Sequence, residues 1–500
     1  MTAGAAAARA EEFSSRWGLL LAALSMAVGT GNIWRFPRVV ASNGGGSFLV
    51  AWVVFLLLWS VPLMIVELAF GKRARRGTVG AFADLAGERT AWMGGWVALT
   101  ATAIMFYYSV VSGWCLRYLW ASLSGELGRR SSQDLWTAYA GSGGAVATHL
   151  VALGLAFAVV WFGVRGIERV ARVLIPLLAL LVVVLALRAV TLPGAERGLA
   201  FLFTPDWGAL AQPTIWLEAL TQNAWDTGAG WGLLLTYAIY MRRREDVPLN
   251  AFVVGFGNNS MSLLAGIMVL CTIFAIRPEA SREIVGAGNE GLTFVWMPQL
   301  FALMPAGGVF MALFFLALSF AALTSLISML ELATRVLVDF GAERRRSLLL
   351  VAGAGFLFGM PSALSLDVFA NQDWVWGLGL IVSGLLFALG ARRFGLERLR
   401  REVVNAEGCD MPLGRWWDFV VGVLVPVEAV ALLAWWLWQA GGRDLRAWLD
   451  PVASFNAGTV LAQWSVALVA LLLANRWLAA ASRRGRVADR PPADAAGGAP

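Results

Sequence analysis

One histidine and three cysteines in 500 residues leave almost nothing from which to build a metal centre or a disulfide framework. Cys115, Cys271 and Cys409 are scattered, two in apolar segments and one in a basic loop, and are expected as free thiols. His149 stands alone near the end of an apolar segment. Charge is scarce too: Asp, Glu, Lys and Arg make up 14% of the chain against 59% hydrophobic residues. A composition so apolar cannot be hidden inside one water-soluble core. No nucleophile–base pair or phosphate loop is present, which leaves an enzyme with little support.

What the chain has instead is long hydrophobic runs. Runs of about 20 apolar residues, the length of a bilayer-spanning helix, predict an all-α polytopic membrane protein of about twelve spans. They cover 17–40, 46–70, 92–120, 147–164, 169–190, 212–241, 249–276, 306–339, 347–366, 373–391, 416–439 and 457–480, numbered here as spans 1 to 12. Of the 39 Lys and Arg residues, 26 fall in segments 1–16, 71–91, 165–172, 242–248, 341–347, 392–415 and 481–500. Basic loops stay on the cytoplasmic side, so both termini are predicted cytoplasmic, in a multi-pass protein of the cell inner membrane. The net charge of +7 therefore reports orientation in a lipid bilayer, and no nucleic-acid partner is expected. Met1–Arg16 carries no cleavable apolar core, and the Arg-, Ala-, Pro- and Gly-rich tail 481–500 is expected to be disordered.

Two spans are interrupted. Ala27-Val28-Gly29-Thr30-Gly31-Asn32 breaks span 1, and Trp225-Asp226-Thr227-Gly228-Ala229-Gly230-Trp231-Gly232 breaks span 6. Unwound backbone at membrane depth is tolerated only where protein or a water-filled cavity satisfies it. Glycine-mediated helix packing would also place small residues there. Paired interruptions in two halves, however, point to an inverted-repeat secondary transporter. On that pattern 17–190 (spans 1–5) and 212–391 (spans 6–10) form two repeats joined by an outer loop, 191–211, and 392–480 adds spans 11 and 12 with their connection. The outer loop 277–305, with Gly286, Gly288, Gly291 and an apolar run Phe294–Met304, reads as a re-entrant or hairpin lid or as a plain surface hairpin. Each break exposes a half-helix N-terminus suited to a carboxylate and a half-helix C-terminus suited to a cation. A zwitterionic amino acid beside a monovalent cation fits both.

The run G-N-I-W-R-F-P (Gly31–Pro37), followed by N-G-G-G-S-F (Asn43–Phe48) and P-L-x-x-x-E-L-A-F-G (Pro62–Gly71), closely resembles the signature of the neurotransmitter:sodium symporters, including bacterial amino-acid transporters such as the leucine transporter. Discontinuous helices that line a midplane site are a general property of that transporter's fold type. The resemblance implies a 5+5 inverted-repeat fold with discontinuous helices 1 and 6, and two Na+ coupling ions with no other cofactor. It also implies sodium-coupled import by alternating access. By resemblance, the first sodium site uses the Ala27 carbonyl, Asn32, Asp226 and Asn258; the second uses the Ser25 and Val28 carbonyls with Ala321, Thr324 and Ser325. Without the resemblance, Thr324-Ser325 reads as a back-bonded helix pair. The substrate would meet the Thr30 and Gly31 amides and the Tyr108 hydroxyl, walled by Met26, Gly29, Ile104, Trp225, Gly228, Trp231, Ser325 and Met329. Arg35 and Asp373 would gate the outside, and Asp339 with Arg9 or Arg16 the inside, where a neutral Ala10 stands at the usual arginine position.

Six departures from the family bear on chemistry. Gly29 replaces the aspartate of monoamine carriers, which argues for a substrate with its own carboxylate. Asp226 replaces a hydroxyl residue, and Ser262 replaces a glutamate frequent in chloride-independent members. Asp226 would then provide the negative charge beside the first sodium without chloride, ionised or protonated before sodium arrives. Gly228 replaces serine, and Trp225 and Trp231 replace phenylalanines; an apolar or aromatic amino acid is expected first, a small ω-amino acid second. Glu67 and Glu331 are expected to hold broken helices rather than relay protons. A non-transporting sensor or a leak channel on the same fold is the competing function.

Overall fold

The computed structural model describes residues 12–242, 244–441, 450 and 453–484. Among them, ten continuous helices are long and apolar enough to cross a bilayer: Gly46–Ala74, Glu88–Leu123, Gly143–Val160, Gly163–Val190, Val247–Ile276, Gly307–Asp339, Arg344–Leu364, Leu366–Phe394, Trp416–Gly441 and Ala457–Ser482. These are spans 2–5 and 7–12. Spans 1 and 6 are the two that do not run through. Span 1 is Arg16–Ala27 and Gly31–Ser42, bent by 48°. Span 6 is Pro213–Asp226 and Leu233–Ala238, separated by six residues outside either helix.

Local chemistry explains these boundaries. Ser15 caps span 1 by accepting from the Gly18 amide, and Asp246 caps span 7 through the Leu249 amide, each satisfying a helix-start donor. Span 2 ends at Arg75 in the left-handed region (φ 55°), and Gly87 (φ 103°) then turns the chain towards span 3. Predicted and observed ends of the continuous spans agree to within a few residues, except that span 5 starts six residues earlier, at Gly163, and span 10 seven residues earlier, at Leu366, where Ser365 accepts from the Val368 amide.

Span 3 and span 8, each 33 residues in its α-helical part, pack along each other through the middle of the molecule, and the broken spans lie against them. Trp59, Trp114, Tyr118 and Tyr237 are fully buried in this interior. Spans 11 and 12 lie at the periphery, with Val466, Leu473 and Trp477 more than half exposed, as lipid-facing side chains would be. The loop 277–305 is not a structureless surface turn: it forms short helices, Ser281–Gly286, Gly288–Glu290 and Met297–Ala302, with a π-helical turn Gly291–Trp296 between the last two. Phe294 within it is buried against Trp114, Tyr118 and Trp136, and so ties the loop to span 3. The three cysteines are free thiols. The tail beyond Arg484, expected to be disordered, lies outside the described residues.

Candidate functional site

The break in span 1 begins where Val28 turns extended (ψ 97°) while its amide still closes the last helical turn on the Leu24 carbonyl. The Gly29 amide, released from the helix, donates to Asn32 Oδ1 at 2.7 Å. Asn32 Nδ2 in turn donates to Asn258 Oδ1 at 2.9 Å and to Ser262 Oγ at 2.7 Å, so one side chain joins span 1 to span 7. Ser262 Oγ donates to Asp226 Oδ2 at 2.6 Å, which brings span 6 into the same network. Asp226 Oδ1 has no hydrogen-bond partner although it is buried.

The four residues expected in the first cation site are thereby brought together. Asn258 Oδ1 lies 3.0 Å from the Ala27 carbonyl oxygen and 3.2 Å from the Asp226 carbonyl oxygen, acceptors facing an acceptor. Turning the amide would let its nitrogen donate to both carbonyls but would set it against Asn32 Nδ2. The present orientation keeps the Asn32 bond and leaves three oxygens facing one another. Such a nest suits a hard monovalent cation.

The break in span 6 is built differently. Gly228, Gly230 and Gly232 all have positive φ (73°, 86° and 80°), a conformation that side-chain-bearing residues rarely adopt. Glu67 of span 2, fully buried, accepts from the Gly230 amide at 2.6 Å and from the Leu235 amide at 3.2 Å. It thus provides the acceptors that the missing helical turn would have supplied. The expectation that Glu67 holds a broken helix is met by this geometry.

Between the breaks lies a cavity of about 70 Å³. All the expected substrate residues line it: Met26, Gly29, Thr30, Gly31, Ile104, Tyr108, Trp225, Gly228, Trp231, Ser325 and Met329. Trp34, Tyr107, Val111, Gln222, Leu233, Asn289 and Phe369 also line it, and Val111, Leu233, Asn289 and Phe369 carried no signal in the sequence. Tyr108 Oη accepts from the Thr30 amide at 3.2 Å and the Thr30 hydroxyl at 3.1 Å, which fixes the phenol over the span 1 break. A Cβ at Gly29 would lie 2.7 Å from Ser325 Oγ and 3.1 Å from Tyr108 Oη, so this glycine cannot carry a side chain without moving one of them.

The second expected cation set is less completely assembled. Ser325 Oγ reaches the Met26 carbonyl at 3.4 Å, linking span 8 to the span 1 break. The Thr324 hydroxyl instead donates within its own helix, to the Phe320 and Ala321 carbonyls, and the Ser25 hydroxyl to Ala22. That is the back-bonded arrangement of a membrane helix, with the hydroxyl oxygens still able to accept or ligate. Val28 and Ala321 are buried beside them.

The family model described as the sodium:neurotransmitter symporter family matches residues 10–147 and 135–480. The chain belongs to that family. YhdH of Bacillus subtilis, an uncharacterized sodium-dependent transporter, is 34% identical over 84% of this chain and 96% of its own length. An uncharacterized sodium-dependent transporter of Methanocaldococcus jannaschii is 31% identical over 85% of this chain and 89% of its own. The crystal structure of MhsT in complex with L-phenylalanine superposes with a TM-score of 0.74 at 29% identity, covering 85% of this chain and 99% of that one. The fold is therefore the leucine-transporter-like one. As a sodium:neurotransmitter symporter family member, the chain is a sodium-dependent secondary transporter and not an enzyme.

The outer and inner gates expected from this family differ from the simple pairs. Arg35 and Asp373 line the same cavity, yet they are not in ion-pair contact; the Arg35 guanidinium lies 4.4 Å from the Trp225 ring centroid instead. On the inside, Asp339 does not meet Arg16. Its Oδ1 pairs with Arg335 Nη2 at 2.8 Å, four residues earlier on the same helix, and its Oδ2 accepts from the Gly77 amide at 2.5 Å. Arg16 faces Asp410 at 3.8 Å, and Arg9 lies outside the described residues. Helical spacing decides this: an i,i+4 arginine is held beside Asp339 by the helix itself. Sequence reading also missed Glu168, which binds the N-terminal segment through the Ser14 amide and hydroxyl and is paired with Arg172 at 2.6 Å. Glu331, read as a structural carboxylate, accepts from Tyr240 Oη at 2.8 Å and takes both ends of Arg344, joining spans 6, 8 and 9.

Proposed function

We propose that this protein imports a small amino acid, apolar or aromatic, together with sodium and without a requirement for chloride. The observation that carries the reading is the oxygen nest of Ala27, Asp226 and Asn258 beneath a narrow cavity lined by both helix breaks. A substrate carboxylate at the half-helix N-termini and a sodium ion in the nest neutralise one another, so neither charge is left alone at membrane depth. Asp226 Oδ1 adds fixed negative charge beside that ion, the part a bound halide would otherwise take. Ser325 and Thr324 with the Ser25 and Val28 carbonyls hold a second sodium once the Thr324 hydroxyl turns its lone pair inward. Sodium drives the cycle because it binds the outward-facing state better than the inward-facing one.

Gly29 supports an amino acid over a bare amine, since no side chain fits there to replace a missing carboxylate. The apolar wall of Met26, Ile104, Trp231 and Met329 supports a hydrophobic side chain. That the similar MhsT was crystallised with L-phenylalanine supports the aromatic end of this range. The two halves 17–190 and 212–391 act as opposed repeats in the inner membrane, with both termini cytoplasmic. The test is uptake of radiolabelled amino acids into proteoliposomes under an inward sodium gradient, with chloride or gluconate outside. Sodium-driven uptake of L-phenylalanine or L-leucine, equal in both anions, is expected. Uptake that ignores sodium would refute coupling, and a halide requirement would refute the role of Asp226.

A further inference from the structure

Trp225 lines both the cavity between the breaks and a second cavity lined by Arg35, Arg38, Glu218 and Asp373, and two contacts hold it there. The Arg35 guanidinium lies 4.4 Å from the ring centroid. The six-membered ring lies against the backbone of Gly377 in span 10. A Cβ built at position 377 would be 2.8 Å from Trp225 Cε2 and would overlap Cζ2 and Cη2 outright. Those three atoms belong to the six-membered ring, the part of tryptophan that phenylalanine does not reproduce in the same place. Gly377 is fully helical and needs no left-handed backbone, so conformation does not demand glycine here. Only the ring does. Asp373 lies one turn earlier on the same helix and lines the same cavity.

We propose that Gly377 is the socket in which the Trp225 lid seats, so that Trp225 and Gly377 form a matched pair setting how tightly the pocket is closed towards the outside. Gly377 touches no substrate; it is a positioning residue acting through Trp225. The inference rests on the proposed transport reading only for its substrate arm. Any side chain at 377 lifts the indole out of its socket and off the stack with Arg35. Shrinking the ring makes room for that side chain and restores closure. A helix-packing glycine with no link to the lid would show no such compensation.

The test places a reporter thiol at Val111, which lines the inner cavity, in a Cys409→Ser background, since Cys115 and Cys271 are buried. A membrane-impermeant methanethiosulfonate is applied from outside in sodium. Labelling is expected to be at least five-fold faster in Gly377→Ala than in the parent, and to return to within two-fold of the parent in Gly377→Ala/Trp225→Phe. A parental rate in Gly377→Ala, or a double variant as fast as the single one, would overturn the proposal. Should Gly377→Ala not reach the membrane, Trp225→Ala and Trp225→Ala/Gly377→Ala replace it. Equal rates and equal accumulation are expected, since without a ring the socket has no effect; a double variant that still fails to accumulate would show a purely structural glycine and end the proposal. In the substrate arm, Gly377→Ala raises the KM for L-phenylalanine when Trp225 is present and does not change it further in the Trp225→Ala background. If the parent takes up no L-phenylalanine, the substrate reading fails while the labelling rates still judge the socket.

Discussion

The two helix breaks solve the same backbone problem by different means. In span 1 the interruption is short, and the released groups are met by polar side chains that themselves line the cavity, Asn32 and Tyr108. In span 6 the gap is longer, shaped by three left-handed glycines and held by a carboxylate from another span that does not line the cavity. Both breaks line one cavity, but span 1 satisfies its loose amides with side chains at that cavity, and span 6 with a carboxylate outside it. An interrupted helix is therefore not one motif.

This contrast is most strongly broken at Glu67. Glu67→Ala leaves the buried Gly230 and Leu235 amides unpaired, at a cost of about 1–3 kcal/mol each. Loss of sodium-driven uptake and a lower melting midpoint in detergent are expected, whereas unaltered uptake would remove the scaffold role. Next is Asp226→Ser, which deletes the fixed charge: uptake is expected to vanish or to become chloride-dependent, read by exchanging chloride for gluconate. Gly29→Ala should follow, weakening amino-acid binding by about ten-fold, or ~1.4 kcal/mol, because Ser325 and Tyr108 must move; equilibrium binding measures it. Asp339→Asn should be milder, changing the rate of uptake more than the affinity, since Arg335 and Gly77 hold Asp339 far from the pocket.

The smallest effect belongs to the outer loop. Glu126 lies beside the Arg117 guanidinium, whose hydrogen bond lowers its pKa below the ordinary glutamate value. A depressed carboxylate pKa contributes stability that is present above the unfolded-state value and lost as pH falls through the folded one. The pair is partly exposed, so Glu126→Gln should cost under about 1 kcal/mol at neutral pH and nothing in acid. A thermal shift measured against pH checks this, and a difference persisting in acid would contradict it.

Much of this architecture was legible because bilayer chemistry writes clearly in sequence. Spans show as apolar runs, and a Gly-Thr-Gly-Asn cluster inside one is hard to explain except as unwound backbone. Asn32, Asp226 and Asn258 were grouped by the family resemblance alone, since no spacing in the sequence joins them, and the structure brings the three side chains together. The partner of Asp339 was not legible. Arg335 and Asp339 pair along one helix, which looks in sequence like an interfacial charge pair, and Glu168 sits in a basic stretch where it passes for a surface residue. Gly377 was invisible for a related reason: within Trp376-Gly377-Leu378-Gly379 it resembles any small residue at a helix contact. Only the position of Trp225 gives it a meaning.

Equilibrium binding of sodium-22 to the purified protein, compared between the parent and Asn258→Ala, tests the nest most directly. Saturable binding in the parent, with one ion equivalent lost in the variant, is the predicted result. Equal occupancy in both proteins would contradict it, because the oxygens of Ala27, Asp226 and Asn258 would then not be holding the ion.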